Sequence, residues 1–290
     1  MAKVAQKRRR STQDEQRQFL KDVLEAVRDM EPPMTVRQVF YQSTVRGIVE
    51  KTEPGYRKIQ RALVMLREGG DVDWEWIADN TRWMRKPRTY GSPEAAMRTL
   101  AASYRKALWN DIDARVEVWI EKDALAGVIV EVTSMFDVPL MVARGYASLS
   151  FLHSSAMVIE GDGKPAFVYH FGDYDPSGQD AAANIERRLR EFAPNASITF
   201  RQIAVTPNQI TRWNLPTRPT KSSDPRAANF ADQSVELDAI TPQRLRALVR
   251  TAIERHMPKH QYEILKAAEE AEREGLVALA QAKAGRKRRG

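Results

Sequence analysis

The regular alternation of apolar and amphipathic segments between about residues 115 and 205 constrains the fold more than any other feature of the chain. Four short segments are apolar and rich in β-branched or aromatic residues, as buried strands are: VEVWIE, PLMVA, AFVYHFG and SITFRQIAV. Three segments with helical patterns separate them: KDALAGVIVEVTSMF, SLSFLHSSAMVIE and SGQDAAANIERRLREF. This alternation predicts parallel β-α units, and so an α/β domain with a mainly parallel four-stranded sheet covered on both faces.

The N-terminal part of the chain is predicted to be mostly helical. Residues 12–30 have the apolar stripe of an amphipathic helix, and Thr35 with Gln38 three residues later forms a capping box that starts a second helix. A third helix, PGYRKIQRALVMLREGG, closes at Gly69-Gly70. The following stretch, DVDWEWIADNTRWMRKPR, is predicted to hold one or two short strands, as the wing of a winged helix-turn-helix does.

These patterns divide the chain into four parts. We predict a basic tail over 1–11, a winged-helix (CAP-like) domain over 12–106, the α/β domain over 112–240, and C-terminal helices with a second basic tail over 241–290. The C-terminal part is therefore a helical extension of the α/β domain.

The distribution of charge predicts a polyanionic partner. Residues 1–10 and 283–290 each carry +5, whereas residues 34–106 carry +6 within a body that is slightly acidic overall. Such a pattern is typical of proteins that bind double-stranded DNA, although basic tails also serve solubility. Arg57, Lys58 and Arg61 lie on one face of the third predicted helix and are the natural DNA contacts; the alternative is an ordinary solvated face.

Several classes of site are excluded by the sequence. The chain has no cysteine, so it has neither disulfides nor thiolate metal ligands, which fits a reducing, cytoplasmic location. No apolar run approaches the roughly 18 residues that cross a bilayer, so we expect no membrane partner. A Gly-x-x-x-x-Gly-Lys-Ser/Thr loop is absent, and we therefore expect no ATP site in this chain.

Three acidic residues follow the ends of predicted strands. Glu121 ends the first strand, and Asp173 and Asp175 follow the third. Because functional groups of parallel sheets gather beyond the carboxyl ends of the strands, these carboxylates predict a Mg²⁺ site, with Mn²⁺ as a substitute, that handles phosphate esters. The alternative is a structural turn in which an aspartate caps the helix that begins at Pro176.

The segments IEKDAL and FGDYDPSG resemble motifs of the Toprim domain in the A subunit of type IIB topoisomerases (topoisomerase VI) and in its meiotic relative that makes double-strand breaks. The resemblance implies that Glu121, Asp173 and Asp175 bind Mg²⁺ and that a nucleophilic tyrosine lies on an upstream winged-helix domain. In 35-TVRQVFY-41, Arg37 and Tyr41 match the family's arginine and tyrosine in order, spacing and location. The resemblance also implies a homodimer, in which the tyrosine of one subunit meets the metal site of the other. It further implies a separate ATPase B-like subunit. The short chain is similar to standalone "mini-A" proteins.

The resulting expectation is a nucleoid-associated enzyme that cleaves and rejoins DNA through a 5′-phosphotyrosyl link. Helical periodicity places Arg37 and Tyr41 roughly 100–150° from the centre of the apolar stripe, so we expect both to face solvent or a ligand. The alternatives are that Tyr41 only packs, that metal-activated water hydrolyses DNA, and that the protein binds DNA without cleaving it. Lys122 is expected to be a surface lysine.

Overall fold

Four parallel strands form the central sheet of the computed structural model, which describes residues 13–78, 89–220, 230 and 233–287. The strands are β1 (Arg115–Ile120), β2 (Leu140–Val142), β3 (Ala166–Phe171) and β4 (Ile198–Ala204), in the spatial order β2-β1-β3-β4. All three neighbouring pairs are parallel. The predicted α/β class and the four-stranded parallel sheet are therefore confirmed.

Three helices form the N-terminal part of the described chain, and they begin and end close to where the local sequence predicts. They are α1 (Gln13–Arg28), α2 (Val36–Val45) and α3 (Glu53–Glu68). The capping box of α2 is present, with the Gln38 N–H donating to Thr35 Oγ1 at 3.1 Å and the Thr35 N–H donating to Gln38 Oε1 at 2.9 Å. A single 3₁₀ turn, Trp74–Trp76, follows α3. The predicted wing falls largely on residues 79–88, which lie outside the described residues.

Four further helices accompany the strands. They are α4 (Pro93–Ser103), α5 (Asp123–Met135), α6 (Leu149–Asp162) and α7 (Pro176–Phe192). Ser148 and Asp175 cap α6 and α7 by accepting hydrogen bonds from backbone N–H groups in the first turn, and Pro176 takes the first helical position of α7.

The segment after β4 is irregular at first and then helical. A short helix α8 (Pro207–Trp213) precedes a two-stranded antiparallel pair of β5 (Arg218–Pro219) and β6 (Gln233–Ser234). A 3₁₀ turn at Leu237–Ala239 leads into α9 (Pro242–Glu254) and the long α10 (Lys259–Lys287). Within the described part of the chain, none of the helices combines the length and apolar character that a membrane crossing requires.

Helices cover both faces of the sheet because side chains alternate between its faces along each strand. On one face, a large buried cluster joins residues such as Val118 to α5, α9 and the N-terminal helices α1–α3. On the other face, a smaller cluster joins Trp119 and Val168 to α6 and α7. The N-terminal helices thus share a core with the sheet, and Gln38 Nε2 on α2 donates to the Ile240 carbonyl at 3.2 Å.

Candidate active site

The strand order creates a crevice at the carboxyl edge of the sheet between β1 and β3. The chain leaves β1 for β2 on one side and returns to β3 on the other, and parallel sheets bind ligands at such a reversal of direction. Glu121 follows β1 directly, and Asp173 stands two residues beyond β3. Glu121 Oε2 accepts a hydrogen bond from the Asp173 N–H at 2.9 Å, so residues 52 positions apart in the chain meet at this edge.

Two glycines allow Glu121 and the Asp173 loop to approach each other closely, because glycine has no Cβ atom. A Cβ atom at Gly172 would lie 2.9 Å from Glu121 Oε2 and 2.7 Å from His170 Cε1. At Gly178, in the first turn of α7, a Cβ atom would lie 2.5 Å from the Asp173 carbonyl oxygen. The atoms that a Cβ atom at Gly172 would meet belong to side chains. The atom that it would meet at Gly178 belongs to the backbone, which cannot move without displacing Asp173.

We expect Gly178→Ala to lower the free energy of unfolding by about 1–3 kcal/mol, because the added methyl group overlaps backbone. Urea denaturation measures the loss. Gly161→Ala is the matched control: Gly161 is also helical, and a Cβ atom added there would meet nothing within 4 Å, so the substitution is expected to be neutral or slightly stabilising. Equal stability of the two variants would contradict the tight packing behind Asp173.

Asp173 is buried and strongly held. Its Oδ1 atom accepts from the Leu237 N–H at 2.8 Å and lies 3.0 Å from Lys122 Nζ. Burial raises the pKa of Asp173 to about 6, with a further contribution from Glu121, although the Lys122 ammonium opposes the rise. The carboxylate pair of Glu121 and Asp173 is therefore a place where negative charge accumulates.

Lys122 is not the surface residue that the sequence predicted. Its ammonium lies 3.0 Å from Asp173, 3.2 Å from Glu236 and 2.7 Å from Asp238, and 21% of its side chain is exposed. Burial by itself would lower the pKa of Lys122, but Asp238, Asp173 and Glu236 together outweigh burial and raise it. Lys122 is thus a permanently charged and only partly exposed cation. The sequence prediction failed because two of its three partners come from a distant segment.

That distant segment supplies Glu236 and Asp238, which the sequence patterns did not single out. Tyr174 and Val235 form an isolated antiparallel bridge with reciprocal N–H···O bonds of 2.8 and 2.9 Å, which lays residues 235–238 beside the Asp173 loop. Glu236 and Asp238 alternate with buried Val235 and Leu237. Acidic residues that alternate with apolar ones in this short segment were the available signal, since charges are seldom buried without partners.

Asp175 acts as the helix cap that was the structural alternative for this motif. Its Oδ1 atom accepts from the Gly178 N–H at 2.8 Å, and its Oδ2 atom lies 3.3 Å from the Arg218 guanidinium. Arg218 also contacts Glu236 at 3.0 Å. Asp175 is therefore near Asp173 in the chain, but its carboxylate is engaged by α7 and Arg218.

Tyr41 lies inside the protein, which corrects the expectation that it faces solvent. The residue is 2% exposed, its ring packs 5.5 Å from the Phe40 ring, and it is covered by Lys51, whose ammonium lies 5.0 Å from the ring centroid. Lys51 is itself held by the Pro216 carbonyl at 3.0 Å. The helical period predicted a side of α2 away from its apolar stripe, whereas Tyr41 belongs to the same buried cluster as Val39 and Phe40.

The Tyr41 side nevertheless opens into a cleft of about 440 Å³. Arg37, Tyr56, Lys51, Arg218 and Glu236 are among its other lining residues. Arg37 keeps 46% of its side chain exposed and pairs with Glu236 at 2.7 Å. Burial, followed by the Glu236 carboxylate, raises the pKa of Tyr41 above its usual value, so its hydroxyl is protonated at neutral pH.

The basic residues predicted to contact DNA all lie on the solvent face of α3. Arg57, Lys58 and Arg61 are exposed, whereas Ile59 on the opposite side is buried, as the stripe predicted. Arg57 makes an exposed ion pair with Glu53 at 3.3 Å. The cationic face is therefore available to a ligand, while its role in binding DNA stays a prediction.

Some of the oxygen ligands at the sheet edge suit a hard divalent cation. Among the residues that the structure describes, no three His, Cys, Asp or Glu side chains form a ready metal-binding group. Glu121 and Asp173 supply carboxylate oxygens at one edge, and their crowded negative charge favours a cation there. Asp175 fits the set chemically, but its contacts with Gly178 and Arg218 give it a structural part in this conformation.

Comparison with known proteins assigns this chain to no group: it matches no family model and no curated protein.

Proposed function

We propose that this protein is a Mg²⁺-dependent enzyme that cleaves and rejoins DNA with Tyr41 as nucleophile, as the A subunit of topoisomerase VI does. The winged-helix and Toprim assignments belong to this proposal. The observation that carries it is that Arg37 lines both the Tyr41 cleft and a second cleft, of about 660 Å³, that is lined by Glu121, the partner of Asp173 at the sheet edge. A tyrosine and an arginine beside paired carboxylates is the set of groups that phosphoryl transfer to a protein side chain needs.

Each residue has a defined part in the proposed reaction. The Tyr41 oxygen forms a bond to a backbone phosphorus, and the bond from that phosphorus to the 3′-oxygen breaks. The Tyr41 proton passes to solvent, and the 3′-oxygen takes up a proton. Arg37, half exposed at the cleft mouth, binds the phosphate through its guanidinium. Glu121 and Asp173, with Asp175 beside them, would hold Mg²⁺, which neutralises phosphate charge when bound.

The direct test is to trap the covalent intermediate. Supercoiled DNA is incubated with the protein and Mg²⁺ and quenched with detergent, and the DNA ends are then mapped. We expect protein attached to 5′ ends with free 3′-hydroxyls, and no attachment when EDTA is present. Cleavage that leaves free 5′-phosphates would favour the second hypothesis, a nuclease using metal-activated water. Binding without cleavage under any divalent ion would favour a non-catalytic DNA-binding protein.

The basic face of α3 makes a separate prediction about binding. Changing Arg57, Lys58 and Arg61 together to glutamine is expected to make the negative slope of the logarithm of the binding constant against the logarithm of the salt concentration less steep by about 2–3. The reason is that each phosphate contact contributes about one to this slope. Fluorescence anisotropy of a labelled duplex at several salt concentrations measures the slope.

A matched control is available on α7. Arg187, Arg188 and Arg190 form ion pairs with Glu186 or Glu191 on the same helix, and we do not assign them to the DNA surface. Changing these three arginines to glutamine removes the same charge but is expected to change the slope by less than the α3 variant does. Equal effects of the two variants would show that only total charge matters and would remove α3 from the proposed interface.

The resemblance also implies a homodimer and a separate ATPase B-like subunit, and both remain predictions. The nucleoid-associated location is also still a prediction.

A further inference from the structure

Three cations line the Tyr41 cleft, and their charges are not equally compensated. Arg37 lies 2.7 Å from one oxygen of the Glu236 carboxylate, and Arg218 lies 3.0 Å from the other oxygen. Lys51 is the third cation of the cleft, and among the described residues it forms no ion pair with a carboxylate. Glu236 therefore compensates the two arginines in part, whereas the charge of Lys51 has no such partner.

The Lys51 ammonium also has hydrogen-bond donors to spare. An ammonium carries three N–H donors, and within the described part of the chain Lys51 Nζ donates one bond, to the Pro216 carbonyl at 3.0 Å. Lys164 shows the saturated case, because its Nζ lies 2.8, 3.2 and 2.9 Å from three backbone carbonyl oxygens between residues 109 and 112. Lys51 therefore has two N–H donors for an acceptor that enters the cleft.

The surroundings of Lys51 favour a negatively charged acceptor. The residue is half-buried, and its Nζ lies 5.0 Å from the centroid of the Tyr41 ring. Burial lowers the pKa of Lys51, and the Glu236 carboxylate opposes this change without cancelling it. Because charges interact more strongly where water is partly excluded, an anion in the cleft would stabilise the Lys51 ammonium more than it would an exposed lysine.

The position of Lys51 beside α3 favours a DNA phosphate as this anion. Lys51 directly precedes Thr52, the N-cap residue of α3. Glu53, in the first turn of α3, lines the Tyr41 cleft and lies 3.3 Å from Arg57, which belongs to the basic face of that helix. A DNA backbone that follows this basic face to the beginning of α3 therefore arrives at the cleft beside Lys51.

We infer that Lys51 binds a phosphate of the DNA backbone in the Tyr41 cleft, through the N–H donors that the Pro216 carbonyl leaves available. This inference rests on the proposed function and deepens it, because it adds a phosphate-binding residue on the tyrosine side of the reaction. It concerns that side alone, so it agrees with the shared site that the family resemblance implies, in which another subunit supplies the metal edge.

Lys51→Met tests the contact in a binding experiment without any reaction. Fluorescence anisotropy of a labelled duplex is measured at several salt concentrations with EDTA present. We expect binding at low salt to weaken about tenfold, as for the loss of one charge-assisted hydrogen bond. The negative slope of the logarithm of the binding constant against the logarithm of the salt concentration should become less steep by about one. An unchanged slope would overturn the inference.

Two further variants separate the phosphate contact from a loss of charge or of structure. Lys51→Arg keeps a cation with several N–H donors and is expected to retain the wild-type slope. Lys164→Met removes a lysine whose donors are engaged inside the protein, and it is expected to leave the slope unchanged. A slope that changes equally in Lys51→Met and Lys164→Met would show that only total charge matters, and would overturn the inference.

A chemical footprint tests the same contact on the wild-type protein, so it does not depend on the folding of any variant. Lysines are reductively methylated with and without saturating duplex, and the modified residues are quantified by mass spectrometry. We expect the duplex to reduce methylation of Lys51 several-fold and to leave Lys259, which is 89% exposed, unchanged. Methylation of Lys51 that the duplex does not reduce would overturn the inference.

Inorganic phosphate at matched ionic strength distinguishes the two sources of a phosphate group. Protection of Lys51 by the duplex and not by inorganic phosphate supports a contact with the DNA backbone. Equal protection by inorganic phosphate alone would assign the cleft to a free phosphate ion and would overturn the inference.

Failure of this inference and failure of the proposed function give different results. An unchanged slope in Lys51→Met, together with covalent adducts from the wild-type protein, would overturn the inference and leave the proposed function in place. Absence of adducts from the wild-type protein, together with binding that depends on Lys51, would contradict the proposed function and support Lys51 as a residue that binds DNA.

Discussion

Tyr41→Phe is expected to reduce covalent attachment to DNA by at least about 1,000-fold, because the proposed reaction has no other nucleophile. The variant should stay folded. Phenylalanine keeps the ring contacts with Phe40 and Lys51 and removes only the hydroxyl, so the cost in stability is at most about 1 kcal/mol, the typical net value of one hydrogen bond. Adducts quantified on denaturing gels measure the first effect, and thermal unfolding measures the second.

Tyr56→Phe is the matched control for this experiment. Tyr56 lines the same cleft, and its ring centroid lies 5.4 Å from the Phe40 ring centroid, but its hydroxyl is not assigned to the reaction. Its variant is expected to form adducts at a rate within a few-fold of the wild type. Adducts that persist in Tyr41→Phe but disappear in Tyr56→Phe would transfer the nucleophile to Tyr56, whereas loss in both would indicate that the cleft tolerates neither change.

Lys122→Met is expected to lower the free energy of unfolding by about 3–5 kcal/mol, because removing one partner from a buried group of charges leaves the others with their desolvation penalty. Methionine nearly matches the length and apolar stem of lysine, so the change removes the charge more than the packing. It leaves Asp173, Glu236 and Asp238 without the cation that lies within 3.2 Å of each of them. Chemical denaturation at neutral pH measures the loss.

Two further variants make this prediction specific. Lys259→Met removes a lysine that is 89% exposed and pairs with Glu263 at 3.7 Å, and it is expected to cost less than about 1 kcal/mol. Adding Asp238→Asn to Lys122→Met is expected to recover part of the lost stability, because it removes one uncompensated charge. Similar losses for Lys122→Met and Lys259→Met would show that Lys122 is not the centre of a buried network.

The opposite directions of the pKa shifts at the site follow from the same arrangement. Burial would raise the pKa of Glu236, but Lys122 and Arg37 outweigh it and hold that pKa at about 2. Burial raises the pKa of Asp173, and the Glu121 carboxylate raises it further. The Lys122 cation lowers it but does not outweigh them, and the pKa is about 6. Glu236 is therefore an ionised partner for Arg37 at neutral pH, whereas the raised pKa of Asp173 reflects its burial beside a second carboxylate.

Local patterns in the sequence were sufficient for the elements and for part of the site. The alternation of strands and helices, the Thr35–Gln38 capping box and the turn at Gly69-Gly70 all depend on neighbours within a few residues. The meeting of Glu121 and Asp173 also followed from sequence, because parallel strands end at one edge of a sheet. Asp175 shows the limit of this reasoning, since both a helix cap and a metal ligand were open and the structure shows the cap.

The sequence by itself therefore determined the four strands of the sheet, most of the helices, the α/β class and the sheet edge where Glu121 and Asp173 meet. Only the tertiary structure decided the burial of Tyr41, the partial burial of Lys122 and the arrival of Glu236 and Asp238 beside Lys122. The reason is that periodicity reports which side of an element avoids water near its own neighbours in the chain. It does not report which distant segment covers the other side, and here Glu236 and Asp238 lie 114 and 116 residues from Lys122 in the chain.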